Sequence, residues 1–182
     1  MNIFVLDKDP KPAAQMHCDK HISKMVVESA QMLSTVHRVL DGLEEKRLSK
    51  SGKRMVKYWK HADSDLESVL YRPCHVNHPC TRWTRESSAN YKWHYRLFKE
   101  LAKEYKYRYN KDHASWIKLK DTLKVLPENI PHIKQTQFAL AMNQQPQCID
   151  RTDPVKSYRE FYKTKQQTFN MVWTKRDVPA WF

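Results

Sequence analysis

The chain predicts an all-α protein: a single compact helical domain over residues 1–182, with a long N-terminal helix at its centre and at most a short N-terminal strand. Three observations lead there. Apolar residues recur at helical spacing through the longest segments. The 182 residues fit one domain that can bury a real core. No internal repeat or low-complexity segment divides them.

The elements follow in order. Residues 2–6, running Asn2, Ile3, Phe4, Val5 and Leu6, read as a short buried strand or extended lead-in. Asp9-Pro10 turns the chain into a helix from about 12 to 41, which Asp41-Gly42 ends. From Glu44 to Lys60 the chain is basic, with Lys46, Arg47, Lys50, Lys53, Arg54, Lys57 and Lys60 among few apolar residues. It reads as a surface loop and helix with a mobile tip at Ser49 to Gly52. Residues 71–80 form a loop stiffened by Pro73 and Pro79. A long helix from about Thr81 to Tyr109 then turns Trp83, Ser87, Tyr91, His94, Phe98 and Leu101 inward. A short helix is expected over 113–126, and Asp153-Pro154 caps another through about Phe169. The tail from Trp173 to Phe182 should pack back on the body.

Within the first helix, His17, His21, Lys24 and Glu28 recur at spacings of four, three and four, and Gln31 and Thr35 continue the series. At about 100° per residue all six share one narrow sector. A second sector carries Cys18, Ile22, Met25, Val26, Ser29, Leu33, Val36 and Leu40, which is a core face. Val27 and Ala30 soften the remaining side, so the helix should be enclosed. A polar stripe on an enclosed helix lines a site or a buried network.

The formal charge of +13 points to a polyanionic partner, most simply nucleic acid. Aromatic residues make up 12 % of the chain, including six Trp and nine Tyr, and suit stacking on exposed bases as well as core packing. With only Gly42 and Gly52 in the chain, neither a Walker loop nor a dinucleotide fingerprint can be written. Cys18, Cys74, Cys80 and Cys148, with no signal peptide and no long apolar run, suggest free thiols or metal ligands, not a disulfide scaffold, in the cytoplasm, or in the host cytoplasm for a phage protein.

Two chemistries suit the stripe. In one, Lys24 is an amine nucleophile and Glu28 its acid–base partner, with His17 and His21 positioning and no cofactor required. In the other, His17 and His21 at i, i+4 begin a metal site that His75 and His78, beside Cys74 and Cys80, complete. The plain alternative pairs Lys24 with Glu28 as an ordinary i, i+4 couple over histidines satisfied in the core. Gln31, His75, His78 and Trp83 are the candidate pocket lining. Lys50, Lys53, Arg54, Lys57, Arg82 and Arg85 are the candidate phosphate contacts.

The run His75, Val76, Asn77, His78, Pro79, Cys80, Thr81, Arg82 and Trp83, with the helix end Glu104, Tyr105, Lys106, Tyr107, Arg108 and Tyr109, resembles the pyrimidine-dimer DNA glycosylases of the endonuclease V type. The likeness spans these two segments, about a third of the chain. It implies a small basic helical domain, double-stranded DNA as partner, and Schiff-base chemistry by an amine. Two departures stand out. That family uses the α-amine of a small second residue exposed by Met removal, whereas residue 2 here is Asn2. The family's catalytic Glu would fall near Ser23 or Lys24, which leaves Glu28 as a substitute one turn on. The chain also looks like uncharacterised proteins of tailed phages.

The expectation is therefore a DNA-acting base-excision or base-modification enzyme. The alternatives are a non-catalytic accessory protein that binds nucleic acid or a host protein, and a metal-dependent helical hydrolase.

Overall fold

A computed structural model describes residues 1–49 and 51–182. Asp9 accepts the N–H of Lys11 and Pro10 takes the first helical position, which starts α1 (Pro10–Gln15). The second helix, α2 (Asp19–Asp41), runs through the core and buries Ile22, Met25, Val26, Ala30, Leu33 and Val36.

The expected continuous helix is thus two helices broken at Met16, His17 and Cys18. No proline or glycine causes the break. The Tyr162 hydroxyl takes the Cys18 N–H at 2.9 Å, Val172 takes the Asp19 N–H, and the Trp173 indole donates to Met16 O. Contacts from the far end of the chain satisfy the backbone groups that helix continuation would have used.

The all-α expectation is also corrected. The segment read as a loop and helix is an antiparallel hairpin, β1 (Gly42–Leu48) with β2 (Met55–His61), so the fold is helix-rich but mixed. Gly42 lets it leave α2 closely: a Cβ there would lie 2.5 Å from Arg38 O and 3.0 Å from Lys60 O. The hairpin base is tied to α2 and to α3 (Ser64–Val69) through two side chains. Buried Arg38 donates to the carbonyls of Trp59, Tyr71, Glu67 and Leu70 and meets Glu67 Oε2 at 2.5 Å. Glu67 also accepts from the Tyr58 hydroxyl at 2.6 Å and the His61 N–H at 2.9 Å. Burial opposes ionisation of Glu67, but these donors bring its pKa down to about 2.

The second long helix is likewise divided, into α4 (Pro79–Glu86) and α5 (Ser88–Tyr109). Ser87 is extended, accepts the N–H groups of Ala89 and Asn90, and donates to the carbonyls of Ile133 and Lys134. Asn110, at φ 54°, ends α5 in the left-handed conformation that asparagine tolerates. The expected 113–126 helix is α6 (Ala114–Leu119) followed by a 3₁₀ turn at Thr122–Lys124. Asp153 and Pro154 start α7 (Pro154–Lys163), which gives way to a 3₁₀ turn at Thr164–Gln167.

The core joins Ile3 and Val5 of the lead-in, the inner faces of α2 and α5, Tyr158 and Tyr162 of α7, and Trp173 of the tail. Residues 2–6 are buried but form no strand. Asn2 Oδ1 accepts the N–H of Ile3 and Phe4, and Leu6 donates to Phe4 O. That tight turn holds Phe4 at φ 35°, a strained value for a residue with a side chain. A buried ion network fastens α5 to the tail. Arg108 reaches Glu104 and Asp19 at 2.8 Å each, and Arg176 reaches Glu104 at 2.9 Å. Among the described residues no helix is long and apolar enough to cross a membrane.

Candidate functional site

The N-terminal half of α2 borders a cleft of about 610 Å³. Lys20, His21, Lys24 and Glu28 form one wall. Asn2 and Phe4 come from the lead-in, His78 from the start of α4, Met142 and Asn143 from the loop before α7, and Phe161, Lys165 and Phe169 from the C-terminal region. That volume lies within the range of ligand pockets.

Among the described residues Glu28 is the only carboxylate on the lining, and its side chain is 12 % exposed. Its Oε2 accepts the N–H of Asn2 at 2.9 Å. Its Oε1 faces two amines, Lys24 Nζ at 3.5 Å and the α-amino nitrogen of Met1 at 3.8 Å. Lys24 is 59 % exposed and the Met1 side chain 4 %, so the two amines approach Glu28 from different depths of the cleft. Asn2 is pinned on every side, since its amide also donates to Ala141 O at 3.1 Å.

His21 lies deeper. Its Nδ1 is 2.7 Å from the Tyr162 hydroxyl, and Phe4 stacks on its ring at 5.0 Å between centroids. Burial, then the charge of its neighbours His17, Lys24, Lys165 and Lys20, lowers its pKa to about 3. At neutral pH it presents an uncharged imidazole, able to donate or accept but not to act as a cation.

The aromatic wall continues from Phe4 to Phe161, stacked at 5.9 Å, and Phe169 meets His21 edge-on at 5.3 Å. Cations cap the rings: Lys165 Nζ stands 3.7 Å over Phe161 and Lys20 Nζ 4.3 Å over Phe169. Burial, then Lys24, holds the pKa of Lys165 below the usual lysine value. Three lysines therefore oppose one carboxylate. The cleft suits an anionic ligand that carries a flat ring.

The structure gathers part of the sequence-derived set. His21, Lys24, Glu28 and His78 line the cleft; His17, Gln31, His75 and Trp83 do not. His17 stands in the break before α2 and is fully buried, with Nδ1 donating to Ala13 O at 2.7 Å. Burial lowers its pKa to about 4, and its unprotonated Nε2 is left without a partner in the apolar interior. Trp83 is core, packed on Trp93 and Phe138. Thr35, last of the stripe, bonds Gln31 O and the Cys74 N–H.

The four histidines of the metal alternative, His17, His21, His75 and His78, are not gathered at one point: His17 meets Phe4 edge-on at 6.0 Å, and among the described residues no three His, Cys, Asp or Glu side chains converge on a metal-sized point. Cys80 is fully buried, and burial pushes its thiol up to about 12. The acidic-then-basic end of α5 is also structural, since Glu104 and Arg108 are buried in the network that fastens the tail.

Of the candidate phosphate contacts, Lys53, Arg54 and Lys57 are exposed on the hairpin and Arg82 on α4, while Arg85 is half-buried against Val76 O. Lys50 lies outside the described residues.

Sequence reasoning missed Phe4, Lys20, Phe161, Lys165 and Phe169. Lys20 is one residue before His21 and falls off the stripe. The others are brought in from regions that carry no local chemical signal. Compared with protein-family models, curated proteins and solved structures, the chain matches none of them.

Proposed function

We propose that the protein acts on DNA as a base-excision or base-modification enzyme of glycosylase and lyase type, with an amine of the cleft as nucleophile. The observation that carries this reading is the carboxylate of Glu28 facing amines at 3.5 and 3.8 Å, inside a cleft whose described lining also holds three lysines and three phenylalanines. A nucleotide turned out of the duplex would lay its base against Phe4 and Phe169 and its phosphates near Lys20 and Lys165. Glu28 takes the ammonium proton, and the freed amine of Lys24 or Met1 adds to the sugar C1′. The C1′–N bond breaks with its electron pair leaving on the base, which is protonated as it departs. The attached nitrogen loses a proton to water, and its lone pair then opens the C1′–O4′ bond to give a protonated imine, O4′ taking the proton that Glu28 holds; water hydrolyses the imine. Neutral His21 offers a hydrogen bond to the base edge without adding charge.

Double-stranded DNA is the partner. Exposed Lys53, Arg54, Lys57 and Arg82 extend the basic surface beyond the cleft. We place the reaction in the cytoplasm, where the four cysteines, all free, would stay reduced.

The test is borohydride trapping on ultraviolet-irradiated and abasic duplexes, followed by peptide mapping of the adduct. A trapped complex that weakens in Glu28→Gln and maps to a cleft amine is expected. No adduct from the wild-type protein would overturn the reading. So would adducts that persist when Lys24→Ala is combined with a blocked N-terminus. A second reading draws on the i, i+4 spacing of Lys24 and Glu28, which is also that of an ordinary helix ion pair. It gives a protein that binds nucleic acid without catalysis, and salt-dependent binding with unaltered DNA would favour it.

A further inference from the structure

The hairpin carries an arrangement that the cleft does not explain. Its register sets Glu44 opposite Trp59, Lys46 opposite Lys57, and Leu48 opposite Met55. Alternation puts these three pairs on one face, in that order from base to tip. Leu48 is 62 % and Met55 56 % exposed, so the outermost pair is two large apolar side chains in water. One rung behind them two lysines stand directly opposite each other. Like charges so placed destabilise a ribbon. Glu44 relieves one of them, reaching Lys57 at 2.7 Å, and among the described residues no carboxylate reaches Lys46. Exposed Lys53 and Arg54 add further positive charge beside the tip.

The base of this ribbon is fixed. Tyr58 and His61 are buried, and Arg38 and Glu67 clamp the strands to α2 and α3. Beyond Tyr58 the strand runs on for three residues, about 10 Å, before the turn. A rigid arm of that size bears an apolar tip and a cationic collar. A DNA groove complements it: phosphates line the rim, where the lysines can reach them, and between neighbouring base edges lie stacked apolar faces into which such a tip can wedge.

We propose that the hairpin is a DNA-deforming arm. Lys46 and Lys57 sit on phosphates flanking the minor groove, and the Leu48–Met55 pair wedges against a base step and kinks the duplex. The proposal rests on the DNA-acting reading for its partner but not for its chemistry. It also links the two sites. Arg38, which holds the arm, is ten residues along α2 from Glu28, about 15 Å. A kink loosens base stacking, which lowers the cost of turning a nucleotide out of the helix.

The experiment uses the full chain and a short duplex with one abasic site and a dye at each end. Wild-type protein is expected to shorten the end-to-end distance on binding. The variant Leu48→Ser with Met55→Ser changes only exposed side chains. It should bind within about threefold of wild type, because phosphate contacts dominate affinity, yet leave the duplex straight. Its borohydride-trapped yield should fall on duplex and equal wild type on a single-stranded abasic oligonucleotide. A straight duplex with wild-type protein overturns the proposal, as does undiminished bending by the variant. A wild-type dimer that the variant dissociates, without bending, overturns it in favour of self-association. Trapping without bending would defeat the arm and leave the amine chemistry standing. Bending that needs Leu48 and Met55, without any trapping, would do the reverse.

Discussion

The Tyr162 hydroxyl meets Nδ1 of His21 at 2.7 Å while accepting the Cys18 N–H at 2.9 Å. One phenol on α7 therefore breaks the helix ahead of α2 and orients the imidazole that lines the cleft. Tyr162→Phe should remove both bonds. We expect a loss of about 1–3 kcal/mol in unfolding free energy, from the Cys18 N–H left buried without an acceptor. In addition, the imidazole signals of His21 should broaden or split in NMR spectra as its ring orientation loosens. Unchanged His21 signals would show that stacking on Phe4 alone fixes the ring.

Glu28→Gln keeps the shape of the side chain and removes its charge. If Glu28 takes the proton from the nucleophilic amine, trapped-adduct formation should slow by about 10²- to 10⁴-fold, with DNA affinity little changed. Single-turnover trapping against binding isotherms separates the two quantities. Equal losses in both would assign Glu28 to holding the lead-in through the Asn2 N–H.

Acid should destabilise the fold well above the carboxylate range. Burial lowers His17 and His37 to about 4, and His21 and His94 to about 3, from an ordinary 6.5. The unfolded chain then binds more protons than the folded one between these values, so stability falls as pH drops below 6.5 toward 3. At pH 5 each such histidine costs about 2 kcal/mol relative to neutral pH. Thermal melts from pH 7 to 5 should therefore shift steeply downward. In His94→Gln the slope should flatten, because that side chain no longer charges on unfolding, whatever the variant does to absolute stability.

Glu67→Gln tests the anchor of the hairpin. It leaves buried Arg38 with carbonyl partners but no counter-charge, and weakens the bonds from Tyr58 and the His61 N–H. A loss of about 2–4 kcal/mol is expected. Amide exchange should quicken across Gly42–His61 more than across α5. Uniform acceleration would make the clamp a global support, not a local one.

Trp83→Ala should behave as a core deletion. Packed on Trp93 and Phe138, the ring should cost about 3–5 kcal/mol when removed. At temperatures where the variant is folded, DNA affinity and trapping should match wild type. A selective loss of either would return Trp83 to the site.

Much of the fold was legible because it is written locally. The 3.6-residue spacing of Ile22, Met25, Val26, Leu33 and Val36 marks a buried helix face wherever that helix sits. Asp9 with Pro10, Asp153 with Pro154, and Asp41 with Gly42 are chemical instructions to start or stop, and α1, α7 and α2 obey them. The spacing of His21, Lys24 and Glu28 put three side chains on the same cleft wall for the same reason. The hairpin was hidden because its lysines and arginines mask the two-residue alternation of Val56 and Tyr58, and its buried face is covered by Arg38 and Glu67 rather than by apolar residues.

Tertiary structure decided what depends on groups distant in the chain. The helix breaks at His17 and Ser87 exist because Tyr162, Trp173 and Pro131 supply partners for backbone groups that would otherwise continue the helix, while the carbonyls of Ile133 and Lys134 hold the Ser87 hydroxyl. The same closure moves His17 off the stripe and into the core. It also brings Phe161, Lys165 and Phe169 across more than a hundred residues of sequence to face Lys24 and Glu28. Periodicity specifies which face of a helix is buried. Which residues meet it there is set by packing, in which most buried polar groups find a partner elsewhere in the chain.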